Sequence, residues 1–239
     1  MTDEILAGLD PLLAKFDAVL GDGYSAVLYG NAARGEPMEG RGEVHVLLIL
    51  DDVGPDRLRA LGPAFKEWGR AGYHAPLLLS RREWGRASDA FPIEITDIKA
   101  AHRVLRGADP VGSVTVDPAD LRSALERDLA SGLMRFRQAW ALHAGEPARL
   151  GEVARGAAAP MVALCRGVLT LARNAVPVAA DAVVREAARV VGAAPDALAT
   201  VVAARRQKGW KCPPETFEGF LAAVDAAAQY VDRFSPGDR

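Results

Sequence analysis

The stretch that decides the fold is Tyr29-Gly30-Asn31-Ala32-Ala33-Arg34-Gly35-Glu36, followed by Glu43-Val44-His45-Val46-Leu47-Leu48-Ile49-Leu50. A short apolar run, residues 26–29, leads into the first segment, so Gly30 stands where a strand gives way to a turn. Strand, turn and helix are expected to follow one another at Gly30. The second segment is almost continuously apolar after a polar entry and reads as a buried strand. Residues two apart on a strand point to the same face, so Glu43 and His45 are expected side by side. Residues 36–42 join the two segments, and the glycines in that loop permit close backbone approach.

Working outward, the first half alternates helices and strands. Residues 3–20 are helix-like, with Asp10-Pro11 as an interruption or restart. Residues 55–71 follow as a helix opened by proline and interrupted at Gly62-Pro63. The expected order then runs strand 76–79, helix 81–88, strand 91–97 and a helical turn or two over 98–106. Gly107, Pro110, Gly112 and Pro118 punctuate a boundary, which places one domain at 1–112 and a second at 113–239. The second half shows no strand. Asp117-Pro118 is an N-cap with a first-turn proline. It launches a helix to about His143, on which Leu121, Leu125, Leu129, Leu133, Phe136 and Trp140 recur at helical spacing. Further helices are expected over 150–174, 180–191, 196–206 and 214–234. The fold class is therefore α+β: a mixed sheet with helices, then an all-α bundle.

The layout resembles the nucleotidyltransferase superfamily of the DNA polymerase beta and MNT type. In that family a Gly-Ser pair starts a helix, a following strand carries Asp-x-Asp, and a third acidic residue comes from another strand. The resemblance implies that Gly30 matches the glycine and that Asn31 stands at the serine. It also implies that Arg34 and Gly35 match the Ala-Arg-Gly tail of bacterial members, so these four residues are the candidate nucleotide-binding set. Glu43 and His45 fall on the two metal carboxylates, and Glu94, in Phe91-Pro92-Ile93-Glu94-Ile95-Thr96-Asp97, falls on the third. Asp97 is an odd number of positions from Glu94 and is expected to face the other way. The family chemistry holds Mg²⁺ on hard oxygen ligands and cradles phosphates on backbone N–H groups. A helical bundle often follows the transferase domain in bacterial members.

Three departures alter that expectation. Asn31 is bulkier than serine, Glu43 is longer than aspartate, and His45 supplies a neutral nitrogen ligand that suits Zn, Co or Ni better than Mg²⁺. The resemblance therefore implies a degenerate site holding a divalent cation (Mg or Mn) only weakly, in a non-catalytic or weakly active nucleotide-binding or interaction protein. The alternative is an active enzyme that moves a nucleotidyl group from an NTP to an unknown acceptor, with Glu43, His45 and Glu94 as the metal or base cluster. A plainer reading makes Glu43 and His45 the cap of an exposed strand end.

Composition narrows the partners. The formal net charge is −2, so no global positive field points to nucleic acid. Arg81-Arg82 and Arg205-Arg206-Gln207-Lys208 read as solvated faces. No apolar stretch is long enough to span a bilayer. Cys165 and Cys212 show no zinc spacing, and the acidic start Met1-Thr2-Asp3-Glu4 lacks a signal-peptide layout, so a reduced, cytoplasmic protein is expected. Arg137 and His143 loosely resemble the Arg-(x)n-His motif of HEPN ribonucleases, yet a histidine in a last helical turn needs only the helix dipole to explain it. His74 and His102 find no partner in the sequence. Trp140 reads as bundle core, and Trp210, after Gly209, as a surface or cleft residue.

Overall fold

The computed structural model describes residues 2–36, 38 and 40–235. Their contacts divide the chain into two compact units. The first comprises Met1–Ala90 with Asp97–Thr115, and the second Phe91–Thr96 with Val116–Arg239.

The first unit is built on a four-stranded mixed sheet. Its strands are β1 (Tyr24–Tyr29), β2 (His45–Leu50), β3 (Leu77–Ser80) and β4 (His102–Arg106), in the order β3-β2-β1-β4. β1 runs antiparallel to both β2 and β4, and β2 runs parallel to β3. The parallel pair needs a crossover, which α3 (Pro55–Arg70) supplies. The central strands are apolar on both faces because both faces are covered. On one face Ala26, Leu28, Val46 and Leu48 pack with Leu9, Leu13 and Phe16 of α1 (Thr2–Leu20) and with Leu61 and Trp68 of α3. On the other, Val27, Leu47 and Ile49 are also buried.

Pro11 and Pro63 interrupt neither α1 nor α3. Each helix buries a full apolar stripe, and that burial offsets the lost hydrogen bond. Short helices α2 (Asn31–Arg34), α4 (Arg81–Trp84) and α5 (Ala87–Ala90) complete the local frame. Ser80 caps α4 through a reciprocal arrangement. Its hydroxyl accepts from the Glu83 N–H, and the Glu83 carboxylate accepts from the Ser80 N–H at 2.7 Å.

The segment from 91 to 106 reverses the expected order. Residues 92–100 form a helix, α6 (Pro92–Ala100), and β4 follows it. The alternation Ile93-Glu94-Ile95-Thr96 has strand periodicity, but Pro92 is preset for a helix's first turn and Glu94 favours the positive end of its dipole. Ile93, Ile95, Thr96 and Ile98 are all buried, so α6 is covered around most of its circumference and shows no single apolar stripe. A run that short does not distinguish the two periods. Glu94 therefore lies on a helix, not on the strand expected for a third carboxylate. Gly107 ends β4 at φ +69°, where a Cβ would come within 2.2 Å of the Tyr24 carbonyl oxygen. Only glycine lets the chain pass there.

The second unit holds α7 (Pro118–His143), α8 (Pro147–Leu171), α9 (Ala180–Val190), α10 (Asp196–Ala204) and α11 (Pro214–Arg233). Asp117 caps α7 by accepting from the Ala119 N–H at 2.8 Å. Leu125, Leu129, Phe136, Val168, Val183, Val201, Phe217 and Phe220 are among the buried residues of its core. Trp140 stacks on Phe217 with ring centroids 5.9 Å apart.

Candidate functional site

β1 ends at Tyr29 and the chain turns at Gly30, whose backbone takes φ 73° and ψ −151°. That region is essentially closed to residues with a Cβ. A Cβ at Gly30 would also stand 3.4 Å from His45 Cδ2, so the imidazole lies flush against the turn. α2 is a single turn. Gly35 closes it in the left-handed region, and the Glu36 N–H reaches back to the Asn31 carbonyl at 2.9 Å. Gly35 thus serves backbone geometry. Asn31 is the first residue of α2 and is half-buried.

Arg34, expected at a phosphate, is committed inside the protein. Its Nη2 donates to the Asp97 carboxylate at 2.5 Å and to the Asp97 carbonyl at 3.0 Å. The side chain is only 4% exposed, and Nη1 is buried without a hydrogen-bond partner. Asp97 is therefore the carboxylate that α6 brings to the α2 turn, while Glu94 clusters with the second unit.

Glu43 is not on the strand. Gly40 to Val44 form a tight turn, in which the Glu43 N–H donates to the Gly40 carbonyl at 3.2 Å and the Val44 N–H to Arg41 at 3.1 Å. β2 begins only at His45, so the expected two-residue alternation between Glu43 and His45 does not apply. Pro37 and Glu39 of the loop expectation lie outside the described residues.

His45 is the best-defined group of the site. It pairs with Tyr29 in the β1–β2 ladder, and its ring stacks on the Tyr29 ring at 5.6 Å between centroids. The His74 ring lies 6.2 Å from it between centroids. Desolvation by surrounding atoms holds the His45 imidazole below its ordinary range, and His74 pushes it further down. The Glu43 and Asp97 charges pull the other way. The balance favours the neutral form of the His45 imidazole.

These donors do not fit Mg²⁺ bound to a triphosphate. That ion needs anionic oxygens. Here one nearby carboxylate is paired to Arg34 and the central position is a nitrogen. Among the described residues no three of His, Cys, Asp and Glu gather closely enough to hold a metal ion between them.

Reading the sequence alone missed Asp97 and His74. Asp97 was obscured by taking α6 as a strand. His74 precedes β3, and the register Leu47↔Leu77 carries it to the His45 end of the sheet. That signal exists only once β2 and β3 are known to pair in parallel.

The other sequence candidates have local explanations. Arg137 donates to Asp225 at 2.9 Å, whereas His143 pairs with Glu146 at 3.0 Å, so each contacts a different carboxylate. His102 lies 3.3 Å from Asp109. Trp210 packs partly buried against the bundle core. No helix of the described residues is long and apolar enough to cross a membrane. No family model matches the chain, and no curated protein matches its sequence.

Proposed function

We propose that this chain is a nucleotidyltransferase-fold protein that has lost the metal-dependent transfer step and acts as a weak nucleotide-binding or interaction module. The observation that carries the reading is the junction at Gly30. A strand ends in a glycine-only turn, a single helical turn follows, and an antiparallel strand returns with His45 against that glycine. This is the layout that the sequence resemblance implies, with an imidazole where an anionic metal ligand is needed.

The Arg34–Asp97 pair supports the non-catalytic half of the reading. A carboxylate neutralised by a buried guanidinium contributes little net charge to a cation beside it. The arginine is likewise spent as a phosphate contact. Nucleotide affinity then rests on backbone groups and Asn31 alone.

The test is calorimetric titration of Mg²⁺-ATP and Mg²⁺-GTP into the full-length protein. Affinity of high micromolar or weaker is expected, corresponding to a binding free energy of about −5.5 kcal/mol or less favourable. His45→Asp combined with Asn31→Ser should tighten it by roughly tenfold or more, because each recovered charge-assisted contact is worth about 1–3 kcal/mol. Tight Mg²⁺-dependent binding by the wild type, or product formation from an NTP, would overturn the non-catalytic reading. No gain in the double variant would remove residues 31 and 45 from any nucleotide site.

A further inference from the structure

We propose that His45 and His74 together form a chelating site for a divalent transition-metal ion, Zn²⁺ or Ni²⁺, at one end of the sheet. Their rings are the relevant observation. The two imidazole centroids are 6.2 Å apart with planes inclined by 36°. With metal–nitrogen distances of about 2.0–2.1 Å, two imidazoles on one ion hold their centroids roughly 5–6 Å apart. The rings thus stand within about an ångström of the separation that a shared ion imposes, and binding turns one nitrogen of each exposed side chain toward that ion.

Both ligands stand on rigid supports. His45 is fixed by its ladder position opposite Tyr29 and by the Tyr29 ring stacked on it. The backbone of His74 is held as well. Its carbonyl accepts from Trp68 Nε1 at 2.7 Å, and Trp68 is fully buried in the core between α1, α3 and the sheet. Both histidines are solvent-exposed, so an ion reaches them without opening the fold. With the backbone of both residues held, binding has only the two side chains left to order.

The chemistry selects the metal. Imidazole nitrogen suits Zn²⁺, Ni²⁺ and Cu²⁺, and Mg²⁺ and Ca²⁺ prefer oxygen. Two protein ligands leave the remaining positions to water. The negative field of Glu43, two residues before His45, favours a cation there. This inference needs only the two rings and does not rest on the nucleotide reading, so the two proposals fail separately.

The experiment uses the full chain, free of any histidine tag, titrated with ZnSO₄ or NiCl₂ in the absence of nucleotide and followed by calorimetry. One ion per chain is expected for the wild type. His45→Gln and His74→Gln should each weaken binding by at least about tenfold, the lower end of what even a supporting residue costs a metal site. His102→Gln and His143→Gln, at the other two histidines, should leave it unchanged. As a second readout, Zn²⁺ should raise the thermal midpoint of the wild type and of His102→Gln but not of His45→Gln or His74→Gln. Absence of binding by the wild type overturns the proposal, and so does binding that survives both the His45 and the His74 substitution.

Discussion

Arg34 and Asp97, 63 residues apart in sequence, form an ion pair that ties the α2 turn to α6. The arginine side chain is 4% exposed and the aspartate 19%. Arg34 closes the helical turn that Gly30 opens, so the shape of the candidate site depends on a contact that no local sequence pattern announces.

Removing the acid from this pair should be costly. Asp97→Ala leaves a buried guanidinium that already has one unsatisfied nitrogen. Breaking a buried pair from one side costs about 3–5 kcal/mol. Urea denaturation should show a midpoint lowered accordingly. A loss below about 1 kcal/mol would mean that solvent reaches Arg34 far more freely than its burial indicates.

Gly107→Ala should destabilise the first unit. The residue sits at φ +69°, and a Cβ would approach the Tyr24 carbonyl oxygen to 2.2 Å. Left-handed strain contributes about 1–2 kcal/mol and overpacking about 1–3 kcal/mol. The matched control is Gly35→Ala. It also has positive φ (73°) but meets nothing within 4 Å, so it should lose only the strain component. Equal losses in thermal unfolding of the two variants would show that the close approach to Tyr24 relaxes without cost.

Neither cysteine should react in the folded state. Burial pushes the Cys165 thiol up to about 12 and the Cys212 thiol up to about 11, with Glu215 adding to the latter. At pH 8 the thiolate fractions are then roughly one in ten thousand and one in a thousand. Iodoacetamide labelling followed by mass spectrometry should find both cysteines unmodified in native protein and both modified in denaturant. Rapid native labelling of Cys212 would place it outside the core.

The Ser80–Glu83 capping box gives a pH-dependent contribution. The hydrogen bond from the Ser80 backbone N–H, with the Ser80 hydroxyl adding to it, holds the Glu83 carboxyl below its ordinary value of 4.5. A depressed carboxyl contributes stability above its unfolded-state value and loses it as pH falls through the folded one. The stability difference between wild type and Glu83→Gln should therefore be present at pH 7 and shrink below about pH 4.5. A difference that does not change between pH 7 and pH 3 would remove the carboxylate from the cap.

Much of the fold is written in local pattern. The continuous apolar runs of β1 and β2 announce a sheet, and Asp117-Pro118 announces the start of α7. Residues 91–106 are legible only through their tertiary setting. Ile93 and Ile95 alternate like a strand but, with Ile98, are buried around a helix, and His102–Arg106 pairs with β1 despite its polar residues. The same misassignment hid Asp97, since on a helix its relation to Glu94 is three residues along one side, not an odd step across a strand. His74 was out of reach for another reason. Its neighbour is set by the parallel β2–β3 register, and parallel register depends on a crossover that carries no local code.

The position of β4 has a consequence for how the chain is made. β1, the apolar centre of the sheet, gains β2 on one side from residues that follow within about twenty positions, but its other side is covered only by His102–Arg106. At roughly 5–20 residues per second, β1 emerging from the ribosome spends several seconds with one ladder edge unpaired. An apolar strand with an open edge templates pairing with other chains. Nascent chains stalled before residue 102 should therefore pellet or recruit a holdase, and chains released past Gly107 should not. The last strand in sequence acts, in biosynthetic terms, as the seal that ends the vulnerable period of the first.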